Sequence, residues 1–170
     1  DTMASSAALV FINGEFWGVY NFRERYSPEY VSDHTGANKD TVTVIENANN
    51  LYNQNPDVAF VDGSGVAGYA DEFNWLLEFA DTHDLSVPEN FAWIESKLDL
   101  DSLIDLCAVR VFFNATDWPE NNIKLWRDTA PDSADARWHF VLLDTDWGMG
   151  MKQTTGPEMN LLFILLNYSN

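Results

Sequence analysis

The sequence predicts an α+β fold, with a β-hairpin near the start, helices in the middle and a second hairpin after them. Residues 8–24 form an apolar, β-rich run that turns at Asn13-Gly14, the dipeptide most typical of a two-residue hairpin turn. Residues 70–113 carry apolar side chains at helical spacing. Residues 123–126 and 138–143 have the composition of two short strands that pair across a polar loop.

Shorter elements are predicted between the first hairpin and the helices. Ser27-Pro28-Glu29 places a capping serine before a proline, so a short helix begins there and ends near Gly36. The β-branched run from Asp40 to Glu46 predicts a strand. Residues 47–68 are rich in Asn, Gly, Asp and Ser, which predicts an irregular loop.

Three helices are predicted between residues 70 and 113. The first has one apolar face, made by Phe73, Leu76, Leu77 and Ala80. The second opens at residues 86–89 and carries Phe91, Ile94 and Leu98. The third opens at Asp99-Leu100-Asp101, whose carboxylates are predicted to cap free amides. Because its run LIDLCAVRVFF is apolar almost all round, this helix is predicted to be buried at the centre of the fold.

The third helix leads into the candidate site, NATDWPENNIKLWR at residues 114–127. Asp117 precedes Asn122 by five residues, and the apolar run 140–143 ends in Asp144 and Asp146. A carboxylate, a carboxamide five residues later, a strand and an acidic tip follow one another in the phosphoryl-transfer sites of protein kinases. There the first Asp orients the attacking hydroxyl, while the Asn and the later Asp hold magnesium. The alternative is a turn in which Asp and Asn bond their own backbone.

The amino-acid sequences of three segments resemble those of the CotH kinase family, which are secreted or spore-coat proteins with an atypical protein-kinase-like fold. The segments are TDWPENNIKLWR, DTDWGMG and INGEFWGVYNFRER. The resemblance runs from about Leu9 to Leu166, and its most specific part is Asp-Trp-Pro-x-Asn-Asn.

The resemblance implies a single, incomplete kinase-like domain over residues 1–170. Residues 1–46 would supply three parts: the hairpin that ends the small lobe, the hinge, and a strand. Residues 70–170 would supply the large-lobe helices and the catalytic loop. Residues 21–25 would form the hinge that contacts adenine, which makes Glu24 a nucleotide-binding candidate. Kinases also clamp the phosphates with a small-lobe Lys paired to a Glu. No Lys precedes Lys39, so the resemblance implies that this element lies upstream of Asp1.

Carried over by position, Asp117 matches the catalytic Asp, and Asn122 with Asp144 or Asp146 matches the metal ligands. Lys124 and Trp126, on the strand after the loop, would line the nucleotide pocket. The implied reaction transfers the γ-phosphate of ATP, with Mg²⁺ or alternatively Mn²⁺, to a Ser or Thr hydroxyl of a protein, which could be basic and rich in serine. The implied location is extracellular or on a spore or cell surface. The alternative is a binding or adhesion module that keeps the fold without activity.

Composition limits the partners. The net charge of −18 disfavours nucleic acid and anionic membranes, because phosphate groups demand Lys and Arg. It suits a cationic protein, although adaptation to solubility or salt would give the same charge. No apolar run of about 18 residues is present, so no membrane span is predicted. The single cysteine, Cys107, sits among apolar residues and is predicted to be buried.

Other sites are less well supported by the sequence. A calcium loop beginning at Asp144 would need a Glu where Thr155 stands. The three histidines lack the spacing of zinc ligands. Gly63, Gly65 and Gly68 do not form a phosphate-binding loop motif. A glycosidase would need a carboxylate pair that no spacing singles out.

Overall fold

The computed structural model describes residues 3–48, 59–113, 115, 118 and 121–145. Within these ranges the fold is α+β, with four helices and two antiparallel sheets. The elements in chain order are β1 (Ser5–Ile12), β2 (Glu15–Arg23), α1 (Pro28–Thr35), β3 (Val42–Asn47), β4 (Phe60–Gly65), α2 (Ala70–Thr82), α3 (Pro88–Glu95), α4 (Leu100–Phe113), β5 (Lys124–Asp128) and β6 (His139–Val141). Over the same ranges, none of the helices combines the length and apolar character that crossing a bilayer requires.

The first hairpin is confirmed. β1 and β2 pair antiparallel around Asn13 and Gly14, whose φ angles of 52° and 85° are the left-handed values of a type I′ turn. β2 continues to Arg23, so only Glu24 and Arg25 of the expected hinge lie between this strand and α1. Six large apolar side chains of the hairpin are more than half exposed, namely Leu9, Phe11, Phe16, Trp17, Val19 and Phe22.

The helix that begins at Pro28 is also confirmed. The Ser27 hydroxyl accepts a hydrogen bond from the amide of Tyr30, and Gly36 ends α1 with a φ of 80°. Tyr26, Tyr30 and Val31 pack with Val42 and Val44 of β3. This small core covers one face of the second sheet.

The second sheet has the strand order β4-β3-β5-β6, so β3 lies at its centre. The predicted strand at residues 40–46 and the pairing of β5 with β6 are confirmed. The prediction that residues 47–68 are all loop is wrong, because Phe60–Gly65 forms β4. Its glycines allow close approach to β3: a Cβ on Gly65 would lie 2.1 Å from the carbonyl oxygen of Val42.

Helices α2, α3 and α4 pack on the opposite face of this sheet. Buried residues from both layers form the main core: Ile45, Phe73, Leu76, Ile94, Leu103, Leu106, Cys107, Leu125 and Trp138. The burial of Cys107 is confirmed. The third predicted helix, α4, was expected to be buried at the centre of the fold, but only one side of it is buried, since Ile104, Val111 and Phe112 are 57%, 52% and 79% exposed. The sheet lies against only one side of that helix.

A pair of glycine variants tests the account of β4. Gly65 and Gly68 have φ angles of 83° and 92°, so alanine is strained at both, but only at Gly65 would the new Cβ meet backbone. We expect Gly65→Ala to lower the free energy of unfolding by about 1–3 kcal/mol more than Gly68→Ala. Urea denaturation measures the difference, and equal losses would contradict the close packing of β4 on β3.

Candidate functional site

One buried side chain joins the two loops that the sequence singles out. Arg110 lies in the last turn of α4 and is 1% exposed. Its Nη2 donates to the carbonyl oxygen of Asn122 at 3.1 Å and to that of Leu143. Its Nη1 donates to the carbonyl oxygen of Asp144 at 2.5 Å. The loop before β5 and the loop after β6 therefore meet at a single guanidinium group.

Both loops have an unusual backbone conformation at this point. The φ angles are 60° at Asn122 and 48° at Asp144, and Asn13 is the one other non-glycine residue described with a positive φ. Asn and Asp tolerate the left-handed region better than most residues, but it still costs free energy. Hydrogen bonds from a charged donor stabilise by about 1.5–3 kcal/mol each, so Arg110 can offset this cost.

Strand pairing places the two loops at the same end of the hairpin. Lys124 is opposite Val141 in the register of β5 and β6, so the residues just before β5 and just after β6 are neighbours. The side chain of Asn47 fixes the start of β5, since its Oδ1 accepts a hydrogen bond from the amide of Ile123 at 3.3 Å. The hydroxyl of Tyr26 donates to the carbonyl oxygen of Leu142 at 2.5 Å. Burial raises the pKa of Tyr26, so the hydroxyl keeps the proton that it donates.

The sequence-predicted site residues divide into two groups. Asp117 and Asp146 lie outside the described residues. Asn122 and Asp144 are described, and their backbones are brought together by Arg110. The carboxamide and carboxylate oxygens of these two residues are ligands of the kind that Mg²⁺ prefers, so the donor set fits that ion. Over the described ranges, no group of three or more His, Cys, Asp and Glu side chains could hold a metal ion.

Lys124 has a fixed partner on the central strand. Its Nζ lies 2.8 Å from Oε2 of Glu46, and the two residues are directly opposite each other in the register of β3 and β5. Their side chains are 25% and 19% exposed. The ammonium group is thus held two residues after Asn122, with access to solvent.

Trp126 and Glu24 lie in different surroundings. Trp126 stacks on His139, with ring centroids 4.5 Å apart, and lines a pocket of about 480 Å³ between α1, α4 and β6. Glu24 is not among the described residues that line this pocket. Its Oε2 accepts a hydrogen bond from the amide of Ala4 at 2.8 Å and lies 3.8 Å from Nε2 of His34. Among the described residues, Trp126 therefore lines this pocket and Glu24 does not.

A charged network behind Trp126 corrects the predicted role of Asp99. Its carboxylate, expected to cap α4, instead lies 2.9 Å from Nδ1 of His139 and 3.8 Å from Nη1 of Arg137. Nε2 of His139 lies 3.7 Å from Oδ2 of Asp135. His139 is thus held between two carboxylates while its ring lies against Trp126. The network joins residues that are up to 40 positions apart, so no local motif could have predicted it.

Sequence reasoning also missed Arg110. One signal was present, because Arg110 is the only basic residue in the apolar run LIDLCAVRVFF. A charge at a buried helical position needs partners, and the partners described for Arg110 include backbone carbonyls, which no side-chain motif reveals.

Comparison with protein families agrees with the resemblance read from the sequence. The family model for CotH kinase proteins matches residues 1–164. The chain therefore belongs to the CotH kinase family. A comparison with curated proteins gives no match.

The ion pair of Asp135 and Arg137, which belongs to the network around His139, predicts a loss of stability in acid. Arg137 donates to both carboxylate oxygens of Asp135, at 2.9 and 2.6 Å, and these hydrogen bonds lower the pKa of Asp135 from 3.8 to about 2. Because the folded state favours the charged form, this stabilisation is full above the unfolded pKa near 3.8 and is lost as the pH falls through about 2.

Thermal unfolding between pH 2 and pH 6 tests this effect. Asp135→Asn should lower the melting temperature at pH 6 and bring the variant close to wild type near pH 2. Asp132→Asn, a control at an exposed position of the same loop, should follow the wild-type pH dependence. An Asp135→Asn curve parallel to wild type at every pH would contradict the assignment.

Proposed function

We propose that this chain belongs to an active protein kinase that transfers the γ-phosphoryl group of ATP, with Mg²⁺ or Mn²⁺, to a Ser or Thr hydroxyl of a protein. The observation that carries the proposal is the convergence of the Asn122 and Asp144 backbones on Arg110. Membership of the CotH kinase family supports it. The α+β architecture is consistent with a kinase-like fold, whose small lobe would end with β1 and β2.

Each site residue has a role in this proposal. Asp117 would accept or orient the proton of the attacking hydroxyl. Asn122, with Asp144 or Asp146, would hold the metal ion. When bound, that ion would offset negative charge on the phosphate groups. Trp126 would contact the nucleotide base.

The charge of the chain bears on the protein substrate and on the proposed location. A net charge of −18 favours a basic substrate, and a serine-rich one would supply many acceptor hydroxyls. A secreted or surface-attached location would fit the family, and it remains part of the proposal.

Variants of the proposed acidic residues test the reaction. In the full-length protein, Asp117→Asn should lower kcat by about 100- to 10,000-fold while ATP binding stays near wild type, because a proton acceptor acts in the chemical step. Asp144→Asn combined with Asp146→Asn should abolish magnesium-dependent binding of ATP, measured by calorimetry. Asp132→Asn serves as the control. Full phosphoryl transfer by the Asp117 variant would contradict its role, and absence of magnesium-dependent binding by wild type would contradict the proposal.

A second pair of variants tests Lys124. The ammonium group held by Glu46 would contact the phosphates of ATP, so Lys124→Met should weaken ATP binding by about tenfold, the equivalent of about 1.4 kcal/mol. Glu46→Gln should weaken it less, because the cation remains but loses its partner. Lys97→Met, at an exposed position after α3, is the control. Unchanged binding by Lys124→Met would remove Lys124 from the nucleotide site.

One observation favours a second candidate function, a binding or adhesion module. The β1–β2 hairpin exposes six large apolar side chains, and exposed apolar patches of this kind mark interaction sites. Such a module needs no ATP. The calorimetric experiment separates the two candidates, since a module without activity would not bind ATP in a magnesium-dependent way.

A further inference from the structure

We propose that Arg110 is a positioning residue that sets the metal affinity of the site through the planar shape of its guanidinium group. The inference rests on the proposed function, because Asn122 and Asp144 are the proposed metal ligands. Arg110 itself contacts neither substrate nor metal in this account. It holds the backbone from which the ligand side chains extend.

The geometry of the contacts requires an arginine. Two nitrogens of one rigid plane reach three carbonyl oxygens, those of Asn122, Leu143 and Asp144. A lysine ammonium group has the same charge, but it is a single donor centre on a flexible stem. Lysine at position 110 could therefore donate hydrogen bonds to the carbonyl oxygens of one loop but not to those of both.

The strained backbone makes this support necessary. Asn122 and Asp144 have left-handed φ angles, and Arg110 donates a hydrogen bond to the backbone carbonyl oxygen of each residue. Without those hydrogen bonds, either residue can relax toward negative φ, which redirects its side chain. Residues that orient metal ligands change metal affinity by about 10- to 100-fold when they are mutated.

The position of Arg110 also gives it a rigid base. It is buried on α4 three residues after Cys107 and four after Leu106, both of which lie in the main core. The core therefore fixes the guanidinium group, which in turn fixes the two loops. Coupling of this kind predicts that metal binding depends on residue 110 even though position 110 supplies no ligand.

The test measures Mn²⁺ binding by electron paramagnetic resonance in the presence of saturating ADP, which needs no turnover. We expect Arg110→Lys to bind Mn²⁺ at least about tenfold more weakly than wild type, with the folded fraction matched by circular dichroism. The matched control is Arg127→Lys on β5. Arg127 is also largely buried and lies 2.6 Å from Glu72, and its loss should reduce stability without changing Mn²⁺ affinity.

The outcomes separate the inference from the proposed function. No Mn²⁺ binding by wild type would overturn the proposed function. Binding by wild type and equal binding by Arg110→Lys would overturn the positioning role alone. An equal loss of Mn²⁺ affinity in Arg127→Lys would also overturn the positioning role of Arg110, because the loss would then follow from general destabilisation.

A measurement on wild type keeps the inference testable if the variant does not fold. In protein labelled with ¹⁵N-arginine, the guanidinium resonances of Arg110 should shift when Mg²⁺ is added to the ADP complex, because the carbonyl groups that they contact belong to the ligand loops. Resonances that stay unchanged while Mg²⁺ binds would overturn the inference.

Discussion

The structure of the candidate site depends on the hydrogen bonds of one buried cation. A charged guanidinium group removed from water is costly unless its donors are satisfied. Nη1 and Nη2 of Arg110 donate to carbonyl oxygens of two loops that are about 20 residues apart in the chain. Those loops carry Asn122 and Asp144. The hydrogen bonds that stabilise this buried cation are therefore also the contacts that hold the two loops together.

The central strand β3 connects this site with the rest of the fold. β3 pairs with β4 on one side and with β5 on the other, and its two faces contribute to different cores. Ile45 faces the helical layer, while Val42 and Val44 face α1. Glu46, on the same face as Val44, reaches Lys124 on β5. Lys124 is thus positioned by β3, a strand that the sequence alone did not connect with the candidate site.

Local signals made much of the fold predictable. Asn13-Gly14 specified the first turn, Ser27 with Pro28 specified the start of α1, and apolar periodicity specified α2. These signals act over a few residues, so they can be read without knowing the tertiary structure. β4 was missed because Gly63 and Gly65 resemble loop residues until their close approach to β3 is known.

The candidate site was predictable in part. The order of Asn122, two paired strands and Asp144 predicted that both residues belong to one metal site, and their backbones converge on Arg110. Arg110, the Lys124–Glu46 pair and the network of His139 could not be predicted, because each depends on contacts between distant segments. Asp117 and Asp146 lie outside the described residues, and their roles remain predictions.

A crystal structure of the protein with Mn²⁺ and ADP, in which anomalous scattering locates the metal, would show directly which residues hold the ion. We expect a manganese peak in contact with side-chain oxygens of Asn122 and of Asp144 or Asp146, with the Arg110 hydrogen bonds intact. A peak at any other place, or a nucleotide bound without contact to these residues, would contradict this expectation.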